Sequence, residues 1–173
     1  MQFSSILIAT FAALAIAAPT GQKAKRAAVL DTQTYDEISI SGGTAGNAEE
    51  EAIAVLTNNG ALDLNDLANV DPADIAFLGS VNDIANDAEV EAFNVALEGA
   101  TGDEKTAIQN GKIKNKVLKL EATVIELQAK AAQGEDTSAK LAAEQKKLDN
   151  NIALDTAAAG QPSTKLSFDA STA

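Results

Sequence analysis

Gly111–Gln133 reads GKIKNKVLKLEATVIELQAKAAQ, and within it Ile113, Val117, Leu120, Val124, Leu127 and Ala131 follow one another at steps of 4, 3, 4, 3 and 4. That spacing returns an apolar side chain to one face of a helix at every turn, so it predicts a long α-helix with a continuous seam. Leu118 and Ile125 widen the seam beyond two positions per heptad, as burial against two neighbours requires. The helix opens after Gly102-Asp103 and runs to about Gln133. A short turn follows, Gly134-Glu135-Asp136-Thr137, with Asp136 or Thr137 as the cap of the next helix. That helix spans about Ser138 to Ala159, turns Leu141, Leu148 and Ile152 inward, and stops at Gly160 and Pro162. So short a connection makes the two helices antiparallel neighbours. The fold class expected is mainly α: a small helical bundle with a C-terminal antiparallel helical hairpin.

Upstream segments fit the same class. Asp71-Pro72 supplies an N-cap and a proline at the first helical position. Ile75, Leu78, Val81, Ala85, Ala88, Ala92 and Val95 then continue at helical spacing to about Leu97, with a kink expected at Gly79-Ser80. A shorter helix is expected from about Ala45 to Thr57, stopped by Asn58-Asn59-Gly60, and Asp63 to Ala68 reads as a turn. Ile38-Ser39-Ile40 and Leu166-Ser167-Phe168 alternate in the manner of strands. They predict either a minor two-stranded ribbon from 38–40 and 166–168 or extended arms lying on the helices.

Composition narrows the class further. Alanine supplies 36 of the 173 residues and aromatic residues only 3%, which favours closely packed helices over sheets. The length suits one domain.

The first residues, MQFSSILIATFAALAIAA, are apolar, too short to span a bilayer comfortably, and end in small side chains. Ala15-Ile16-Ala17 fits the cleavage pattern of a secretory signal peptide, with the cut after Ala17. Residues 18–26 then read as a propeptide ending in the dibasic pair Lys25-Arg26, a kexin-type processing site. Residues 27–173 would form a single helical domain with extended N- and C-terminal arms. The expected location is extracellular, with the cell wall as a place of retention. No other segment approaches the roughly 18 apolar residues of a membrane span.

The chain carries 13 basic and 25 acidic residues, a net charge of −12, and trimming after Arg26 would leave 10 basic against 25 acidic. Such an excess repels nucleic acid. The charge is also divided: residues 27–104 hold 17 acids and no Lys or Arg, while 105–173 hold 10 lysines against 8 acids. An acidic half folded on a mildly basic one is the simplest arrangement.

The chemistry available is limited. With no Cys and no His, the chain has no thiol nucleophile, no imidazole base and no Cys/His zinc site. Glu49-Glu50-Glu51 sits where a helix start favours anions. Asp63-Leu64-Asn65-Asp66 opens like a calcium loop but lacks its glycine and distal glutamate. Ser163 and Lys165 are two residues apart, not the three of a serine–lysine pair, and no phosphate loop or dinucleotide fingerprint occurs. The expectation is no enzyme and no cofactor. The positive cluster is in GKIKNKVLK, where Lys112, Lys116 and Lys119 share a helix face. They would contact an anionic partner, or else form a solvated face or an internal counterweight to the acidic half.

TYDEISISGGTAGNAEEEA (Thr34 to Ala52), GKIKNKVLKLE (Gly111 to Glu121) and EQKKLDNNIALDTAAAGQPST (Glu144 to Thr164) together resemble a group of small secreted proteins of filamentous fungi. Some of these are candidate effectors, although many effectors are cysteine-rich and this chain is cysteine-free. The resemblance implies secretion and interaction with a host, and it brings no catalytic residues. The functional expectation is a secreted, non-enzymatic interaction protein, an effector binding a host protein or a cell-wall component. The alternative is an extracellular lipid carrier or a coating for hydrophobic or cell-wall surfaces.

Overall fold

The structure is a computed structural model and describes residues 26–172. The expected signal peptide with Ala17, and Lys25 of the dibasic pair, lie outside the described residues. The chain is mainly helical, as its periodicity requires. Its elements are α1 (Tyr35–Ile38), α2 (Ala48–Leu56), a 3-10 turn (Leu67–Asn69), α3 (Pro72–Ala88), a π-turn (Glu89–Phe93), α4 (Asn94–Gly99), α5 (Gly102–Ala132) and α6 (Ser138–Ala157).

Helix α5 is the axis of the bundle. Its 31 residues span about 46 Å, and α3, α6 and α2 pack around it. Val117 and Leu118 are fully buried, and Ile113, Leu120, Val124, Ile125 and Leu127 nearly so. The double-width seam therefore meets neighbours on more than one side. Ala131 is exposed, because it falls in the last turn, beyond the packed length. Helix α6 returns antiparallel after a turn in which Gly134 takes φ +101°. Thr137 holds the N-cap position, but its hydroxyl turns back and donates to Leu127 O at 3.0 Å.

Helix α3 begins at Pro72 under an Asp71 side chain that accepts from Ala73 N–H at 2.9 Å. Gly79 and Ser80, where a kink was expected, both lie within the continuous α3, and the Ser80 hydroxyl donates to Phe77 O at 2.8 Å. The irregularity comes later, in the π-turn. A π-turn inserts one residue and so turns all later side chains by about 100°. The inward series Leu78, Val81, Ala85 and Ala88 accordingly passes to Phe93, which is fully buried, and not to Val95. Val95, expected inside, is 59% exposed, while Ala96 and Leu97 pack on the core.

No ribbon forms from 38–40 and 166–168; among the described residues there are only isolated bridges, Thr34 to Ser171 and Thr44 to Pro162, both antiparallel. The local reason is a capping box. Thr34 N–H donates to Glu37 Oε2 at 2.8 Å, which starts a helical turn through Ile38 where a strand was expected. The two arms still run antiparallel, with Tyr35 N–H donating to Ala170 O and Thr172 N–H to Gln33 O, each at 2.8 Å. Along the C-terminal arm, Leu166 and Phe168 are half-buried and Ser167 is exposed, so the arm lies extended on the bundle. Phe168 meets the Tyr35 ring edge-on at 5.9 Å.

Buried polar groups tie the arms to α5 and α6. Asn115, fully buried, accepts from the Tyr35 hydroxyl and donates to Ala85 O, each at 2.8 Å. Lys114, also fully buried, donates to Gly42 O and Thr44 O and pairs with Glu51 at 2.8 Å. Asp155 of α6 accepts from Gly46 and Ala48 N–H, both at 2.9 Å, and so caps α2. Gly111 lets the backbone of the C-terminal arm come against α5, since a Cβ there would stand 2.1 Å from Thr164 O.

Candidate interaction groove

The three lysines singled out in the sequence do share a face of α5, and they converge on one carboxylate. Lys119 pairs with Glu89 at 2.6 Å, Lys116 at 3.8 Å and Lys112 at 4.0 Å. Glu89 is the first residue of the π-turn and follows Asn82 and Asn86 at helical spacing on the same face. Lys112 also donates to Asn94 Oδ1 at 2.6 Å, and Lys119 to Asn86 Oδ1 at 3.3 Å. Among the described residues Lys116 has Glu89 alone, at 3.8 Å. The lysines therefore do have an internal partner from the acidic half. One carboxylate cannot neutralise three ammonium groups, however. Lys112 and Lys116 both lie within 4.0 Å of Glu89 Oε1, hence no more than about 8 Å apart. At an effective dielectric of about 20 that is about 2 kcal/mol of mutual repulsion before solvent screening.

This cluster forms one end of a groove of about 1010 Å³ between α3, α5 and α6. Helix α3 contributes Asn82, Asp83 and Asn86; α5 contributes Lys116, Lys119, Thr123 and Glu126; α6 contributes Lys140, Glu144, Lys146, Lys147, Asn150 and Asn151. Five lysines thus face four carboxylates, counting Glu89, in a chain whose net charge is −12. The groove gathers half of the ten described lysines. Glu126 and Glu144 are engaged by Lys130 and Lys147. Lys140 and Lys146 make no hydrogen bond or ion pair among the described residues.

Sequence reasoning missed Glu89, Lys140, Lys146 and Lys147. The α6 lysines fall at helical spacing on the hairpin's outer edge, a signal that was present but indistinguishable from an ordinary solvated face. Glu89 follows Asn82 and Asn86 at helical spacing on the polar face of α3, a signal equally hard to tell from a solvated carboxylate.

The other candidates resolve into structural roles. Arg26 lies 3.5 Å from Asp63 and 3.0 Å from Asp66, so the aspartates of the calcium-like stretch hold this guanidinium. Hydrogen bonds from Asn65, and secondarily the charge of Arg26, hold the Asp63 carboxyl below the usual range. Ser163 is buried and its hydroxyl donates to Ser41 O at 2.6 Å, while Lys165 reaches Asp36 O. Burial raises the Tyr35 hydroxyl above its ordinary value. Glu121 of α5 is 7% exposed, and its carboxyl is pushed up to about 7, first by burial and then by the charge of Glu49 on α2. No helix of the described residues is long and apolar enough to cross a membrane.

Fold and groove define an Ala-rich helical bundle, built around one long helix, with a lysine- and amide-lined surface groove. The chain belongs to the family described as Domain of unknown function (DUF8454), whose model matches residues 30–167. The matched span includes every element from α1 to α6 and all of the groove. No curated protein and no solved structure matches the chain.

Proposed function

We propose that this is a secreted, non-enzymatic interaction protein of the effector kind, which engages a host protein through the groove between α3, α5 and α6. The observation that carries the reading is the gathering of lysines there, against the acidic charge of the rest of the chain. Long-range attraction then favours a negatively charged surface at this face and repels it elsewhere. A lipid carrier would need an apolar cavity. The groove is instead open to solvent and sets ammonium, carboxylate and amide groups beside Leu120 and Ala143, which supports a protein contact over a carrier role.

The test is affinity capture from host extract, comparing residues 27–173 with a Lys116→Glu/Lys119→Glu/Lys140→Glu variant whose helical content is checked by circular dichroism. Host proteins retained by the first and lost by the second support the reading. Retention of the same proteins by both, or of none by either, refutes it.

A further inference from the structure

Lys112, Lys116 and Lys119 hold one carboxylate among three ammonium groups, and Lys140 and Lys146 line the same groove with no partner of their own among the described residues. A concave site with several unneutralised ammonium groups attracts anions, and a carboxylate already bound there shows which anion the geometry accepts. We infer that Glu89 is an internal stand-in, and that the groove takes an extended acidic peptide segment whose carboxylates add to Glu89 or displace it at Lys116 and continue toward Lys140 and Lys146.

Dimensions and lining favour a peptide. From Gly79 to Glu89 on one wall, and from Lys140 to Asn151 on the other, the groove runs for about 15 Å at 1.5 Å per helical residue. That is the length of about four to five extended residues at 3.3 Å each. Asn150 places an amide on the wall, and Asn82 and Asn86, each already in one bond to α5, keep further donor and acceptor positions for a peptide backbone. Among the described residues no aromatic ring lines the groove, so a sugar ring would find no stacking surface on them. Lys119 is held at 2.6 Å by Glu89 and stays in place, whereas Lys116 at 3.8 Å is the ammonium free to change partner.

This assignment rests on the groove being the binding face, and the experiment separates the two claims. The probe is a fluorescently labelled hexaglutamate peptide, titrated with residues 27–173 and read by anisotropy; hexalysine and an oligogalacturonate of similar charge are the comparisons. Expected are binding of hexaglutamate that weakens with added salt, no binding of hexalysine, and weaker binding of the oligogalacturonate. Lys116→Glu/Lys140→Glu should weaken hexaglutamate at least tenfold. Glu89→Gln, which removes the internal competitor, should tighten it severalfold, a gain that general charge attraction at a distant site would not give. Because Glu89→Gln also unpairs three lysines, its thermal unfolding is followed with and without peptide, and a larger peptide-induced rise in Tm than for the native chain gives the same answer. Hexaglutamate that does not bind, an oligogalacturonate that binds as well, or a folded Glu89→Gln chain that binds no tighter overturns the acidic-peptide assignment. If host-protein capture still depends on the groove lysines in that case, the groove reading stands without it; if hexaglutamate binds as expected but capture ignores those lysines, the host-protein reading falls instead.

Discussion

Glu121 on α5 is 7% exposed and faces the carboxylate of Glu49, and replacing it with glutamine should make the protein more stable at neutral pH. Burial, and secondarily the charge of Glu49, push its carboxyl from the ordinary 4.5 up to about 7. Between those two values the folded chain holds a proton that the unfolded chain has released, so stability falls as pH rises through this window. Above the folded value the penalty is fully present. At about 1.4 kcal/mol per pH unit the gap corresponds to about 3 kcal/mol. Glu121→Gln removes the charge and keeps the shape. For a domain of this size about 3 kcal/mol is a rise in Tm of roughly 6–12 °C at pH 8, shrinking to near zero at pH 4.5. Thermal unfolding by circular dichroism at half-unit steps from pH 4.5 to 8 measures both slope and difference. Glu37, Asp63 and Asp136 do not confuse that window. Hydrogen bonds hold each of them below the ordinary carboxylate range, so their contributions are lost only as pH falls lower still. Equal Tm values for the two chains at pH 8, or a native chain whose stability is flat from pH 5 to 7, would refute the reasoning.

Asp155→Ala removes the acceptor that caps α2 through Gly46 and Ala48, and should cost about 2–3 kcal/mol in urea titrations; Asp155→Asn, which keeps a carbonyl acceptor, should cost less than half of that. Gly111→Ala sets a methyl against Thr164 O and must displace the C-terminal arm, with a loss of about 1–3 kcal/mol and faster amide exchange at Thr164, whose N–H bonds Ala107 O. Arg26 is tied by its backbone N–H to Asn69 O, and by its side chain to Asp63 and Asp66. Trypsin should therefore cut the folded full chain after Arg26 several times faster in an Asp63→Asn/Asp66→Asn variant than in the native chain, and equal rates would count against a protective role for the acidic pair.

The parts of the fold legible in the sequence were those in which burial follows local period. The α5 seam from Ile113 to Leu127, the α5–α6 turn at Gly134 and the Asp71-Pro72 start of α3 each depend on residues within a turn or two of one another. Thr34 and Glu37 were equally local, a capping signature that outweighs the short alternation of Ile38-Ser39-Ile40. What could not be read is what distant residues supply. The acceptor for the first N–H of α2 is a carboxylate 107 residues downstream, and Asn115 and Lys114 look like surface residues in the GKIKNKVLK run until Ala85, Tyr35, Gly42 and Thr44 arrive around them.

The π-turn explains why Val95 lies outside and Phe93 inside. A straight helix from Pro72 to Gly99 would continue the inward series through Ala92 and Val95 and leave Phe93 outside. Fully burying a phenylalanine in place of a valine favours the shifted register by up to about 1 kcal/mol of transfer free energy, and the half-burial of Ala96 and Leu97 follows from the same rotation. The inserted residue is accommodated at Glu89–Phe93, where the ordinary i to i+4 hydrogen-bond ladder is interrupted. Glu89 opens that turn, still in register with Asn82 and Asn86, whereas Asn94 follows it and brings its amide oxygen to Lys112 at 2.6 Å. Core packing and one contact of the lysine cluster thus share one backbone feature. A substitution that restores the regular register, such as Phe93→Ala combined with Val95→Phe, should move the Asn94 amide away from Lys112 and lower helix stability. If the Lys112–Asn94 bond survives that exchange, as read from a Lys112→Gln/Asn94→Ala double-mutant cycle in both backgrounds, then the π-turn is not what places it.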